Sequence, residues 1–145
     1  VRLLDTNLGV YAANDAAPQH TAAREAIHAA LAAPGGAAMA WNSILGFLRL
    51  TTQRGVLAEP IPIDAALGIV QAWLNQPTIV VLHPGERHAA TLGGLLRSAG
   101  RGGNLVNDAH LAALAIEHGA TLVSFDRDFE RFAGLRFEWL GGAHA

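Results

Sequence analysis

Asn104-Leu105-Val106-Asn107-Asp108-Ala109-His110-Leu111-Ala112-Ala113-Leu114-Ala115-Ile116-Glu117-His118-Gly119-Ala120-Thr121-Leu122-Val123-Ser124-Phe125-Asp126 is the stretch that decides the fold. Asn104 or Asn107 caps a helix that is apolar on nearly every face, and Gly119 ends it as a C-terminal cap. Thr121-Leu122-Val123 follows as a short strand and stops at the acidic turn Asp126-Arg127-Asp128. A helix apolar on all sides is a buried helix, so an acid in its first turn, Asp108, points into a cleft.

Working outward, the same grammar recurs. Val1 to Leu4 is a short apolar run ending in Asp5, and residues 7–13 continue as a short helix. Residues 20–33 place Ala23, Ile27, Ala30 and Leu31 at helical spacing. Residues 37–40 read as a second buried strand, followed by a helix over 43–52 with Ile44, Leu45 and Leu48 as its core stripe. Asp64 is placed to cap a helix running to Asn75, residues 78–82 have the β-branched density of a buried strand, and 86–98 reads as helix again. Short apolar strands alternating with helices predict an α/β fold with a mostly parallel sheet covered on both faces.

Composition narrows the chemistry. The chain has 145 residues, 51% of them hydrophobic, which suits one domain over residues 1–145 with a large core. No apolar run is long enough to span a bilayer and no secretory leader is visible, so a cytoplasmic protein without membrane contact is expected. There is no Cys, which excludes thiolate metal sites and a Cys nucleophile. There is no Lys either, so no phosphate-binding Gly-Lys loop exists, and Gly-x-Ser-x-Gly is also missing. The histidines show no His-x-x-x-His spacing and are read as surface or packing residues. A net charge of −2 argues against a protein that holds nucleic acid chiefly by neutralising phosphates.

Ligands in open α/β sheets bind beyond the carboxyl ends of strands, which singles out Asp5 and Asp126 beside Asp108. Asp5-Thr6-Asn7 and Asp126-Arg127-Asp128 are equally readable as capping turns. Three converging carboxylates would repel one another unless a cation neutralised them. Mg²⁺ or Mn²⁺ suits such oxygen ligands, keeps several waters, and polarises phosphoryl oxygens, which is the chemistry of phosphodiester hydrolysis.

Three segments together resemble the PIN-domain family, specifically the VapC toxins of type II toxin–antitoxin modules. Residues 2–7 are similar to its opening motif, 103–115 to its central acidic helix, and 119–129 to its closing Ser/Thr-x-Asp motif. The resemblance implies a three-layer sandwich with four to five short strands flanked by helices. It implies that Asp5, Asp108 and Asp126 bind Mg²⁺ or Mn²⁺ and carry catalysis, with Asn7, Ser124, Asp128 and Arg49 in support. It further implies cleavage of RNA of the tRNA or rRNA class, silencing by a small VapB-type antitoxin, and a homodimer. Arg49, Arg101 or Arg127 would hold phosphates, and Trp41, Trp73 or Phe47, if exposed, would meet the antitoxin.

One departure stands out. The family carries an acid in a Glu-x-x-Arg pattern where this chain has Gly46-Phe47-Leu48-Arg49. Helical spacing puts Asn42, Gly46 and Arg49 on one face. The bland reading of Gly46 is local helix packing; the sharper expectation is a lost Glu, with a weakened metal site and low activity that Gly46→Glu raises, and the alternative is a PIN-fold protein that binds RNA or antitoxin without cutting. Gly9 also stands where the family has an aliphatic residue, which predicts a less firmly packed first helix. A small-molecule phosphohydrolase ranks below both, because Asp5 lacks a second acid two residues on.

Overall fold

A computed structural model describes residues 1–141. Five short strands, β1 (Arg2–Leu4), β2 (Ala37–Met39), β3 (Ile79–Val81), β4 (Thr121–Ser124) and β5 (Arg136–Trp139), form one sheet in the order β3-β2-β1-β4-β5. Every pairing is parallel, with Leu3 opposite Ala38 on one side and Leu122 on the other. Six helices connect them: α1 (Thr6–Ala12), α2 (His20–Ala32), α3 (Trp41–Thr52), α4 (Ile63–Leu74), α5 (His88–Ala99) and α6 (Leu105–His118). A 3-10 turn over Arg127–Arg131 lies between β4 and β5.

Side chains alternate across the sheet because successive strand residues point to opposite faces. Leu3, Ala38 and Leu122 pack with the buried faces of α5 and α6, whereas Leu4, Ala37, Met39 and Val123 pack with residues of α1 to α4. Burial on both faces explains why β2 and the Leu3-Leu4 part of β1 are continuous apolar runs. The result is the expected three-layer sandwich. The sheet is wholly parallel, and its fifth strand, β5, had no distinct apolar signature because Arg136 and Trp139 are exposed.

α6 is the buried helix its sequence predicts, with Ala109 and Leu111 through Ala115 all in the core. Gly119 ends it at φ 63°, a left-handed conformation that only glycine adopts without strain. Asn104 sits at its N-cap but makes no side-chain capping bond.

Several local expectations change. In α3 the core stripe is Ile44 and Phe47, while Leu45 is 59% exposed, since the helix turns its Leu45 edge away from the sheet. Pro62, not Asp64, is the N-cap of α4; Asp64 falls two positions further on, in the first turn. β3 is an edge strand with Val80 half exposed, not a fully buried one. Gly9 does not loosen α1: a Cβ there would lie 2.7 Å from the Trp73 ring and 3.1 Å from Phe47. The indole fills the space an aliphatic side chain would take. Trp73 and Phe47 pack edge to face at 4.6 Å, so both serve the core, and of the three aromatic candidates only Trp41 is largely exposed.

Candidate active site

The chain order places β1 and β4 side by side, yet β1 leads on to β2 and β3 on one side while β4 leads to β5 on the other. The crevice beyond the carboxyl ends of β1 and β4 is therefore the switch point at which open α/β sheets bind ligands. Asp5 follows β1 and Ser124 closes β4 there. A cleft of about 430 Å³ opens at this edge, lined by Asp5, Thr6, Asn7 and Tyr11 at the start of α1, by Asn42, Gly46 and Arg49 of α3, and by Asn107 and Asp108 of α6.

A compact network fixes the Asp5 side of the cleft. The backbone N–H of Asp5 donates to the Val123 carbonyl at 3.1 Å, holding the residue to β4. Its Oδ1 accepts from the Thr6 N–H at 2.7 Å and its Oδ2 from the Ser124 hydroxyl at 2.6 Å. The Ser124 oxygen in turn accepts from Asn7 Nδ2 at 3.1 Å and from the Asp126 N–H at 2.9 Å. Ser124 is fully buried. Both local readings of Asp5 hold together: it caps α1 and faces the cleft, because a carboxylate has more acceptor positions than its two bonds use.

Asp126 is also a cap, its Oδ1 accepting from the Asp128 N–H at 2.9 Å. It does not line the cleft; its charge nevertheless reaches both Asp5 and Asp108. Burial, helped by the Asp126 charge, raises the Asp5 pKa above its usual 3.8, while the Ser124 and Thr6 bonds pull it down. Asp108 is pushed from 3.8 up to about 6, first by burial and then by the charges of Asp5, Asp126 and Asp128, with Arg131 opposing. Perturbed acids grouped in a cleft mark functional sites more often than structural ones.

The donor set fits a hard divalent cation: it consists of oxygens, and it carries a repulsion that a cation would relieve. Among the described residues no three Asp, Glu or His side chains are gathered closely enough to cage an ion by themselves. Two carboxylates completed by waters is a usual arrangement for Mg²⁺.

Of the supporting residues, Asn7 and Arg49 line the cleft, Ser124 lies beneath Asp5, and Asp128 is exposed and pairs with Arg131 at 3.6 Å. Arg127 is turned away onto the Trp139 ring, 4.7 Å from its centroid, and bonds Glu130, while Arg101 does not line the cleft. Tyr11 and Asn107, which line the cleft, were not legible as site residues, since each belongs to a helix face whose direction only the packing reveals. Gly46 lies against α1: a Cβ would stand 3.0 Å from Thr6 Cγ2, so the close approach of α3 to Thr6 gives this glycine a packing reason. Away from the cleft, His88 is buried between Glu117, at 2.6 Å, and His110, at 2.9 Å, tying α5 to α6.

A parallel sheet in the order 3-2-1-4-5 with acids at its central carboxyl edge defines the class to which the comparisons also point: the PIN-domain family model matches residues 2–135. Ribonuclease VapC37 of Mycobacterium tuberculosis is 41% identical over 95% of this chain and 96% of its own length. Ribonuclease VapC33 of the same organism is 37% identical over 92% and 93%. The chain belongs to the VapC ribonucleases of the PIN-domain family. Among solved structures, VapC20 of M. tuberculosis, described as a sarcin-ricin loop cleaving toxin, superposes with a TM-score of 0.67 at 18% identity, covering 94% of this chain and 99% of that one. VapBC2 from Rickettsia felis, bound to a DNA fragment from its promoter, gives 0.66 at 20% identity over 94% and 96%. These two speak for the fold.

Proposed function

We propose that this chain is a Mg²⁺- or Mn²⁺-dependent endoribonuclease toxin, hydrolysing phosphodiester bonds in RNA of the tRNA or rRNA class. The observation that carries the reading is Asp108, an acid held above its usual pKa first by burial and then by three neighbouring carboxylates, in a cleft that also presents Arg49. Asp5 and Asp108 would hold the ion from opposite elements, with Asp126 contributing its charge from the rim. The ion supplies Lewis-acid polarisation of a phosphoryl oxygen and activation of a water. Ser124 and Asn7 keep the Asp5 carboxylate oriented, Asp128 positions the Asp126 turn, and Arg49 offers bidentate hydrogen bonds to a phosphate.

The relatives' names, and the antitoxin-bound assemblies among the fold neighbours, support a VapB-type antitoxin as partner. Trp41 and Leu45 on α3, and Ile63 and Leu67 on α4, leave large apolar side chains exposed one helical turn apart. Such side chains suit an apolar partner segment, and a cytoplasmic homodimer completes the same reading. Among the described residues no helix is long and apolar enough to cross a membrane.

Gly46 favours a second reading, a PIN-fold protein that captures RNA or antitoxin with impaired cutting, because no carboxylate enters the cleft from α3. The two separate when purified protein is incubated with total bacterial RNA in Mg²⁺ or Mn²⁺, with EDTA and Asp5→Ala controls, and new 5′ ends are mapped. Discrete cuts lost with EDTA and in Asp5→Ala are expected. Intact RNA at every metal concentration would overturn the enzymatic reading in favour of capture.

A further inference from the structure

The acids occupy only part of the cleft. Tyr11, Val10, Leu50 and Val56 give it an apolar wall, and Asn42 and Arg49 give it polar groups on α3. Tyr11 follows Asn7 by four residues on α1, so the two share a helix face and the ring belongs to the same wall as the network around Asp5. Its ring is pinned edge to face against Phe125, with centroids 5.2 Å apart and planes at 86°. His20 Nδ1 lies 3.0 Å from the Tyr11 carbonyl oxygen, which anchors the end of the helix as well. A ring held in place loses little entropy when a second ring stacks on it.

A second observation is independent of the first. Asn42 Oδ1 is buried and has no hydrogen-bond partner in the protein, although a buried polar atom is costly to leave unpaired. It belongs to the residue one turn before Gly46, on the side of α3 that lines the cleft. The Thr6 side chain closes against Gly46, and the cleft opens beside that contact. Its volume of about 430 Å³ falls in the range of sites that enclose a small organic group.

We propose that this part of the cleft is a nucleobase slot: one unpaired base of the RNA stacks on Tyr11, draws the unpaired Asn42 Oδ1 out of the wall by donating a hydrogen bond to it from its edge, and leaves its phosphate beside Arg49. Sequence-selective RNA contacts are made to splayed, single-stranded bases stacked on aromatic side chains, and an acceptor with no partner discriminates bases that carry an amino or imino donor at the matching edge. The substrate is then single-stranded at the cut, and preference for one base class next to it comes from Tyr11 and Asn42. This rests on the reading of the cleft as an RNA-cleaving site, and its test is arranged so that the two can fail separately.

The first arm measures cleavage of total bacterial RNA by the native chain, Tyr11→Phe and Tyr11→Leu, with thermal melts to show that each is folded. Leu fills the apolar space without a π face. Tyr11→Leu should raise KM roughly ten-fold at nearly constant kcat and flatten base preference beside the cut, with Tyr11→Phe close to native. The second arm needs no turnover: a short single-stranded oligoribonucleotide carrying 2-aminopurine, titrated in EDTA, should lose fluorescence on stacking with the native chain and Tyr11→Phe but not with Tyr11→Leu. Tyr11-dependent quenching without any cleavage would retain the slot and sink the nuclease reading. Cleavage whose KM and base preference ignore Tyr11→Leu, or quenching equal in all three proteins, would overturn the slot and leave the nuclease reading standing.

Discussion

Replacing Asp108 by Asn should make the metal-free protein more stable, not less. Asp108 titrates near 6 in the folded chain against a usual 3.8. Because the folded state holds this proton more tightly than the unfolded one, the penalty is absent below about pH 3.8, where both states are protonated, accumulates as pH rises, and is complete above about pH 6. At about 1.36 kcal/mol for each pK unit, the full difference would approach ~3 kcal/mol. Asp108 is only partly buried, and solvent screening reduces this to roughly 1–2 kcal/mol. Asn preserves the shape and removes the charge. In EDTA at pH 7.5, Asp108→Asn should therefore melt about 3–8 °C above the native chain, by the usual relation between stability and Tm for a domain of this size. At pH 4 the advantage should shrink to near zero. Mg²⁺ reverses the comparison: an ion at a hundred-fold excess over its Kd adds about 2.7 kcal/mol to the protein that binds it, and Asp108→Asn should gain much less. Differential scanning fluorimetry across pH, with and without Mg²⁺, measures all of this. A variant that melts at or below the native chain in EDTA at pH 7.5 would refute the account of Asp108 as a charge held against burial and its neighbours.

Gly46→Glu should raise metal-dependent cleavage at fixed RNA concentration, measured by the rate of appearance of mapped cuts. The gain should be larger when Thr6 is also changed to Ser, which removes the methyl 3.0 Å from the new Cβ; slower cleavage in both backgrounds would show that the cleft needs no carboxylate on α3. Gly9→Ala should lower stability by about 1–3 kcal/mol, because the added methyl meets the Trp73 ring at 2.7 Å and overpacks the α1–α3–α4 contact. Urea unfolding monitored by tryptophan fluorescence checks it, and an unchanged or higher midpoint would mean the indole moves aside freely.

The sequence by itself determined the elements and where the acids fall along them. Arg2-Leu3-Leu4-Asp5 reads as strand then acid, and Asp108 reads as an acid opening an apolar helix, because side-chain periodicity and end signals are local properties of the chain. The sheet's two-sided burial was legible for the same reason, since a strand covered on both faces is apolar along its buried length, as in β2 and in Leu3-Leu4 of β1. Faces and neighbours were not legible. Leu45 and Phe47 are both apolar, and only the docking of α3 on the sheet and α4 decides that Phe47 is core and Leu45 is exposed. Gly9 and Gly46 look like lost side chains in one dimension, whereas in three Trp73 stands too close to Gly9 for a Cβ, and Thr6 leaves room for one at Gly46 only by giving way slightly. That the charges of Asp5 and Asp126 reach Asp108 likewise belongs to the tertiary structure, because the strand order that sets β1 beside β4 joins residues more than a hundred positions apart. Charge repulsion and close packing act through space, and a sequence records them only after the chain has been folded.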